Sequence, residues 1–335
     1  MTIELTLNGE SFQGTPVSWN SSRVLFLARN GFLLDFAPTE PNQFQQVSPH
    51  FRPWSQQDMR GQLLKEFGRD FEVSGTGNYL VVHPRGEADR WPRRFDALYR
   101  SFVHYFTVRG MTPAAPEFPL VAVVFHSRKE FLEHANRSGS RVGRGILGYY
   151  SPRTNRVMIH DLDRGGSEDE NWSMNAKTVI HEATHQLAFN THIHSRVAEP
   201  PRWVAEGLAM MFETPGVWDP HYHPHRKDRV NPTRLEAFRQ YAPRRPQESL
   251  APFVSQSARE FGRTPAVSYA QAWAFSFFLS EREPAKYMEY LKKTASRQPL
   301  KTYTNAERLK EFTTVFGQDL GMLEARFLRF IEELP

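Results

Sequence analysis

Val179-Ile-His-Glu-Ala-Thr-His-Gln186 is the stretch on which the reading of this chain turns. It contains H-E-x-x-H, with His181, Glu182 and His185 at the fixed positions. On an α-helix, residues four apart stand one above the other on a single face. Both imidazoles can then reach one metal ion, and neutral imidazole nitrogen is a preferred zinc ligand. Glu182 follows the first histidine and so stands beside that ion, where it can take a proton from a water on the metal. The competing reading is a surface helix with two solvated histidines. The apolar Val179, Ile180, Ala183, Leu187 and Ala188 around the motif argue against it, because they place the helix in a core where histidines need partners.

Working outward, the next informative segment is Pro200-Pro-Arg-Trp-Val-Ala-Glu-Gly-Leu-Ala-Met-Met-Phe-Glu213. The prolines suit the first turn of a helix, and Glu206 lies inside it. A second helix packed against the first would bring Glu206 to the metal as a third ligand. The expected cofactor is Zn2+, held by His181, His185 and Glu206 with a fourth position left for water, whose pKa the ion lowers towards about 7.

H-E-x-x-H followed by W-x-x-E-G-x-A resembles the gluzincins, zincin metallopeptidases whose third ligand is a glutamate on a following helix. Twenty residues lie between His185 and Glu206, close to that family's spacing. Trp203, Glu206, Gly207 and Ala209 match the glutamate segment of the M1-type aminopeptidases. The longer strings HEATHQLAFNT and PPRWVAEGLAMMFE look closer to an uncharacterised gluzincin-like domain family, over about Gln56 to Ala237. The resemblance implies an α+β fold: a sheet-containing lobe, the H-E-x-x-H helix and a helical lobe, with a cleft between lobes. It also implies an oxyanion-stabilising tyrosine some tens of residues after the glutamate. Tyr269, 63 residues on, suits that role, and a core tyrosine beside Trp273 and Phe275 is the equal alternative. Thermolysin-like enzymes place an aspartate four residues after the glutamate ligand. Met210 stands there in this chain, leaving Glu213 or a backbone carbonyl as the substitute partner for a ligand histidine.

The chain has 335 residues, 39 % hydrophobic and 24 % charged, enough to bury a sizeable core in two or three domains. The net charge of +5 and pI near 9.4 come from interspersed charges, so no nucleic-acid partner is indicated. There is no cysteine, which excludes disulfides and thiolate ligands. No run is long and apolar enough to span a membrane, and no signal peptide is legible, so a cytoplasmic location is the default expectation.

The expected domains are a small β module over 1–48, an α/β lobe over 56–165 and a mainly helical lobe over 166–335. In the first, Ile3, Leu5 and Leu7 alternate with polar residues before a turn at Asn8-Gly9, and Val24–Leu27 and Phe32–Phe36 flank Asn30-Gly31. Ala37–Pro53, rich in Pro, Gln and Ser, reads as a linker. In the second, helices are expected over Gln56–Phe67, Trp91–Val108 and Ser127–Ala135, and strands over Phe71–Val73, Tyr79–Val82 and Leu120–Phe125, the last central. Phe95, Tyr99, Phe102 and Phe106 form an aromatic stripe suited to core packing. Ser127 and Glu130 read as a capping pair. Gly145–Tyr150 and Arg156–His160 form a hairpin ahead of the metal helix. The zincin resemblance makes it the sheet edge that pairs with an extended substrate, and an ordinary hairpin is the alternative. Asp161–Asn171 reads as an acidic loop and Ser173 as the helix N-cap. His221, His223 and His225 alternate among prolines and read as a surface loop rather than a second metal site; His192 and His194 read as structural or exposed. Helices are expected again over Thr233–Tyr241, Ser268–Arg282, Pro284–Ser296 and Asp319–Leu334.

The activity expected from these residues is zinc-dependent hydrolysis of amide bonds in a peptide or protein substrate, with Glu182 as general base. Two other readings stay open: a metal-dependent hydrolase of a non-peptide amide or ester, and a binding protein on a zincin scaffold that has lost catalysis. M1-type enzymes hold a free amino terminus with acidic residues, one in a G-x-M-E-N edge segment. Gly145–Tyr150 has no acidic residue, so cleavage inside a chain is expected.

Overall fold

The computed structural model describes residues 1–40, 43–86, 90–140, 142–143, 145–160 and 168–335, and of 43, 90 and 168–175 the backbone alone. The fold is mixed α+β, with two β-sheets towards the N-terminus and a helical C-terminal region. The chain divides into two compact units: Met1–Tyr99 with Ala115–Gln186, and Arg100–Ala114 with Leu187–Pro335. Among the described residues no helix is long and apolar enough to cross a membrane.

The first unit opens with β1 (Thr2–Leu7), β2 (Glu10–Trp19), β3 (Val24–Ala28), β4 (Leu33–Phe36) and β5 (Gln43–Ser48), an antiparallel sheet in the order β4-β3-β2-β1-β5. Asn8 and Gly9 both take positive φ, 52° and 83°, as the two-residue turn between β1 and β2 requires. Leu5, Phe26, Leu34 and Phe36 form the core of this sheet. The expected linker is corrected here. Gln43–Ser48 pairs with β1, whose second edge is open to any extended neighbour, and that backbone pairing overrides a polar composition.

There follow α1 (Gln56–Phe67), β6 (Phe71–Gly75), β7 (Tyr79–Pro84), α2 (Arg90–Thr107), β8 (Leu120–Phe125), α3 (Arg128–Arg137), β9 (Gly148–Ser151), β10 (Arg156–His160) and α4 (Glu168–Asn190). The second sheet runs β6-β7-β8-β10-β9. Strands β7, β8 and β10 are parallel, while β6 and β9 pair antiparallel at the two edges. Leu120–Phe125 is buried at every residue, as a central parallel strand covered on both faces should be. Met59 and Leu63 of α1, Val121, Val123 and Phe125 of β8, Phe131 of α3 and Met158 of β10 form the core over it. Ser127 caps α3 by accepting from the Glu130 N–H. The strand expected to start at Gly145 starts at Gly148. Residues 161–167 of the expected acidic loop lie outside the described residues. Residues 168–171 are already helical, so Ser173 lies inside α4 and does not cap it.

The second unit is helical: α5 (Arg202–Phe212), α6 (Pro215–Trp218), α7 (Pro232–Tyr241), α8 (Leu250–Ser255), α9 (Ala258–Phe261), α10 (Pro265–Arg282), α11 (Pro284–Ala295), α12 (Asn305–Phe316) and α13 (Leu320–Glu332). The unit boundary falls within α2 and α4. Phe95, Phe102 and Phe106 of the expected stripe are fully buried, and Tyr99 is half-buried. In the core of the helical unit Trp203 stacks on Tyr290 at 5.8 Å between centroids, and its Nε1 donates to the Val254 carbonyl at 3.2 Å.

Candidate metal centre

The H-E-x-x-H motif sits on α4, whose C-terminal half is almost wholly buried. Gln186, directly after His185, fixes this helix to the sheet. Its Nε2 donates to the Val121 carbonyl of β8 at 2.9 Å and to the Asn155 carbonyl at 3.0 Å. Asn155, in the β9–β10 turn with φ of 59°, also accepts from the Tyr150 hydroxyl at 2.8 Å. The edge strand, its turn and the motif helix are thus joined by hydrogen bonds that are themselves buried, where such bonds are expensive to break.

His181 and His185 lie one turn apart, and their Nε2 atoms are 3.2 Å apart. A tetrahedral ion with bonds of about 2.05 Å holds two ligands about 3.3 Å apart. The pair is therefore already at the spacing that one ion requires. His185 is 9 % exposed and His181 half-buried. Glu182 points its Oε2 at the backbone N–H of Tyr150, 2.8 Å away on edge strand β9. Gly148 permits that approach, since a Cβ there would come within 3.0 Å of the Thr178 side chain and the Met158 carbonyl and 3.5 Å of Glu182 Cγ.

Glu206 lies mid-way along α5, in a run buried from Trp203 to Phe212, and is itself 1 % exposed. One ligand-capable atom from each of His181, His185 and Glu206 lies within 4.8 Å of the other two. This His-His-Glu group could hold a metal ion, and its chemistry is compatible with a metalloenzyme. It is the one group of three or more His, Asp or Glu side chains so placed among the described residues. His221, His223 and His225 join no such group; His221 packs edge-on against Tyr222, and the His225 N–H is taken by Asp228. His192 is exposed and His194 buried against Phe189, neither in the cluster.

Two features explain how α5 presents its glutamate. Gly207 lets α10 approach: a Cβ there would stand 2.0 Å from Ser276 Oγ and 2.5 Å from the Ala272 carbonyl. Arg202, one turn before Glu206, places its Nη2 2.8 Å from Glu206 Oε1. The Arg202 side chain keeps 43 % of its surface exposed; its partial desolvation works to lower its pKa, but Glu206, then Tyr269, then Glu199 outweigh that and raise the value. Tyr269, on α10, is half-buried and lies edge-on to Phe261. Glu213, the fallback partner for a ligand histidine, accepts from Asn231 Nδ2 at 3.0 Å.

Sequence reasoning missed Arg202, Gln186 and the Tyr150 N–H. The first carried a signal, an arginine four residues before a buried glutamate. The other two act through backbone groups that no motif encodes.

Residues 175–301 match the profile of a family described as "Protein of unknown function (DUF1570)". The matched segment starts inside α4 and ends beyond α11, so it includes the H-E-x-x-H motif, Glu206 and Tyr269. It begins well after Gln56 and continues past Ala237, the limits expected for the resemblance. No curated protein matches the chain.

Proposed function

We propose that this protein is a zinc-dependent hydrolase with a zincin-like centre, and that it is a peptidase acting on peptide or protein substrates. The observation that carries the reading is the convergence of His181, His185 and Glu206 to within 4.8 Å, with Glu182 adjacent to the first of them. Three nitrogen and oxygen donors without sulfur form the donor set of catalytic zinc, and the 3.2 Å spacing of the two Nε2 atoms suits it. When bound, the ion would polarise a water and the substrate carbonyl. Glu182 takes the proton of the attacking water at a carboxylate oxygen and delivers it to the leaving nitrogen. The Tyr150 N–H holds that carboxylate in place at 2.8 Å before any substrate arrives, so less ordering is left for the reaction itself. Tyr269 serves as the donor to the developing oxyanion. Strand β9, at the sheet edge, offers backbone groups to an extended chain laid beside it.

Cleavage falls inside the substrate chain. A substrate ammonium group brought into a buried site needs a carboxylate, and Gly145–Tyr150 supplies none. The test is a digest of a broad peptide library by zinc-loaded protein, with Glu182→Gln as the control. Peptide fragments formed by the parent protein and absent from the control support the reading. Turnover of small esters alone would replace the peptidase by a hydrolase of other carbonyl compounds. Zinc bound without any turnover would leave a binding protein.

A further inference from the structure

Arg202 breaks a local rule. A cation in the first turn of a helix opposes the helix dipole, and a basic residue four before an acidic one is the weaker order for an i,i+4 pair. The first turn of α5 has no acidic residue to balance it. Helix stability therefore does not account for Arg202, and such departures are expected where a residue serves a site. What it touches does account for it. One nitrogen is 2.8 Å from Glu206 Oε1, and Tyr269 on α10 lies near enough to favour the charged guanidinium. A planar guanidinium presents its donors in a fixed geometry, which a lysine ammonium does not reproduce.

We propose that Arg202 is a positioning residue for the metal centre: paired at 2.8 Å with one oxygen of Glu206, it fixes how that carboxylate is presented as a ligand. The inference rests on the zinc-site reading above. It assigns Arg202 two tasks. Without metal it is the cation that faces a carboxylate of 1 % exposure, 2.8 Å away. With metal it would hold one oxygen of Glu206 in the ion pair and so limit how that carboxylate turns towards the ion.

The experiment compares thermal unfolding of chelator-stripped and zinc-reloaded protein for the parent, Arg202→Met and Arg202→Lys. Zinc itself neutralises Glu206, so the loss of Arg202 matters most in the stripped form. The Arg202→Met change is expected to widen the zinc-induced rise in Tm by about 3 °C or more, and Arg202→Lys to recover part of it. A residue that merely packs would lower both forms equally, and that result overturns the proposal; so does no change in either. If Arg202→Met does not fold, cobalt(II) placed in Arg202→Lys decides through its visible absorption, which reports coordination number. A spectrum altered from the parent's supports the proposal and an identical one overturns it. Failure of the parent protein to bind zinc or cobalt refutes the metal centre itself, a different outcome from parent binding with indifferent Arg202 variants.

Discussion

Replacing Gly207 by alanine should both destabilise the helical unit and weaken the metal centre. The added Cβ would stand 2.0 Å from Ser276 Oγ, 2.8 Å from Ser276 Cβ and 2.5 Å from the Ala272 carbonyl oxygen. A serine hydroxyl can rotate away, but the carbonyl belongs to the backbone of α10 and cannot. Restoring ordinary contact distance requires α5 and α10 to part by roughly 1 Å. Overpacking of this kind costs about 1–3 kcal/mol. The gain from replacing a helical glycine by alanine, about 0.5–1 kcal/mol, offsets part of it. Because the rigid contact is a backbone oxygen, the overpacking is taken at about 2–3 kcal/mol, and the net loss is then about 1–2.5 kcal/mol, or roughly 2–10 °C in Tm. Glu206 is the preceding residue, so the same displacement moves the proposed third ligand, and zinc affinity should fall by at least about tenfold. Thermal unfolding of stripped protein and zinc titration against a chelator measure the two effects. Wild-type values in both would refute the reasoning. Adding Ser276→Ala should recover only part of the loss, because the Ala272 carbonyl stays; complete recovery would show that the serine alone sets the helix separation.

Elemental analysis of protein purified without chelator should give about one zinc per chain, and two would bring the His221–His225 loop back as a second site. Glu182→Gln should keep the metal and lower hydrolysis by at least about 100-fold, with undiminished turnover ruling out Glu182 as the base. A peptide and its N-acetylated form should be cut equally well; release of single residues from the free form alone would overturn internal cleavage. Glu260 should titrate near 2, held down first by the Ser257 hydroxyl, then by the Ser257 N–H and by Asn305. A depressed carboxylate stabilises fully above its ordinary value of 4.5 and loses that contribution as pH falls towards about 2, so an NMR midpoint at 4.5 would show the cap to be absent.

The motif helix, the two N-terminal hairpins, α1 and the central strand β8 were legible in the sequence because side-chain pattern determines them. Three kinds of feature were not. Strand β5 is held by backbone pairing to β1, and Gln43–Ser48 carries almost none of the branched residues that mark a strand. The start of α4 lacks apolar periodicity, although its acidic Glu168, Asp169 and Glu170 are the residues a helix N-terminus favours. At the candidate site the sequence named the residues that converge, but not what holds them. Gln186 and the Tyr150 N–H act on or through main-chain atoms. Arg202 was readable only by asking why a cation should open a helix that buries a glutamate.

The contact between Glu182 and β9 has a practical use. An amide on an outer strand commonly faces water and trades its hydrogen within the open time of that edge. The Tyr150 amide instead gives its hydrogen to the Glu182 carboxylate at 2.8 Å. Its exchange with deuterium therefore clocks how often that carboxylate lets go. An ion that draws Glu182 aside should speed this one exchange, and a chain laid along β9 should slow it. The protein carries a backbone reporter of its own centre, which can be read against candidate metals and peptides before any substrate is in hand.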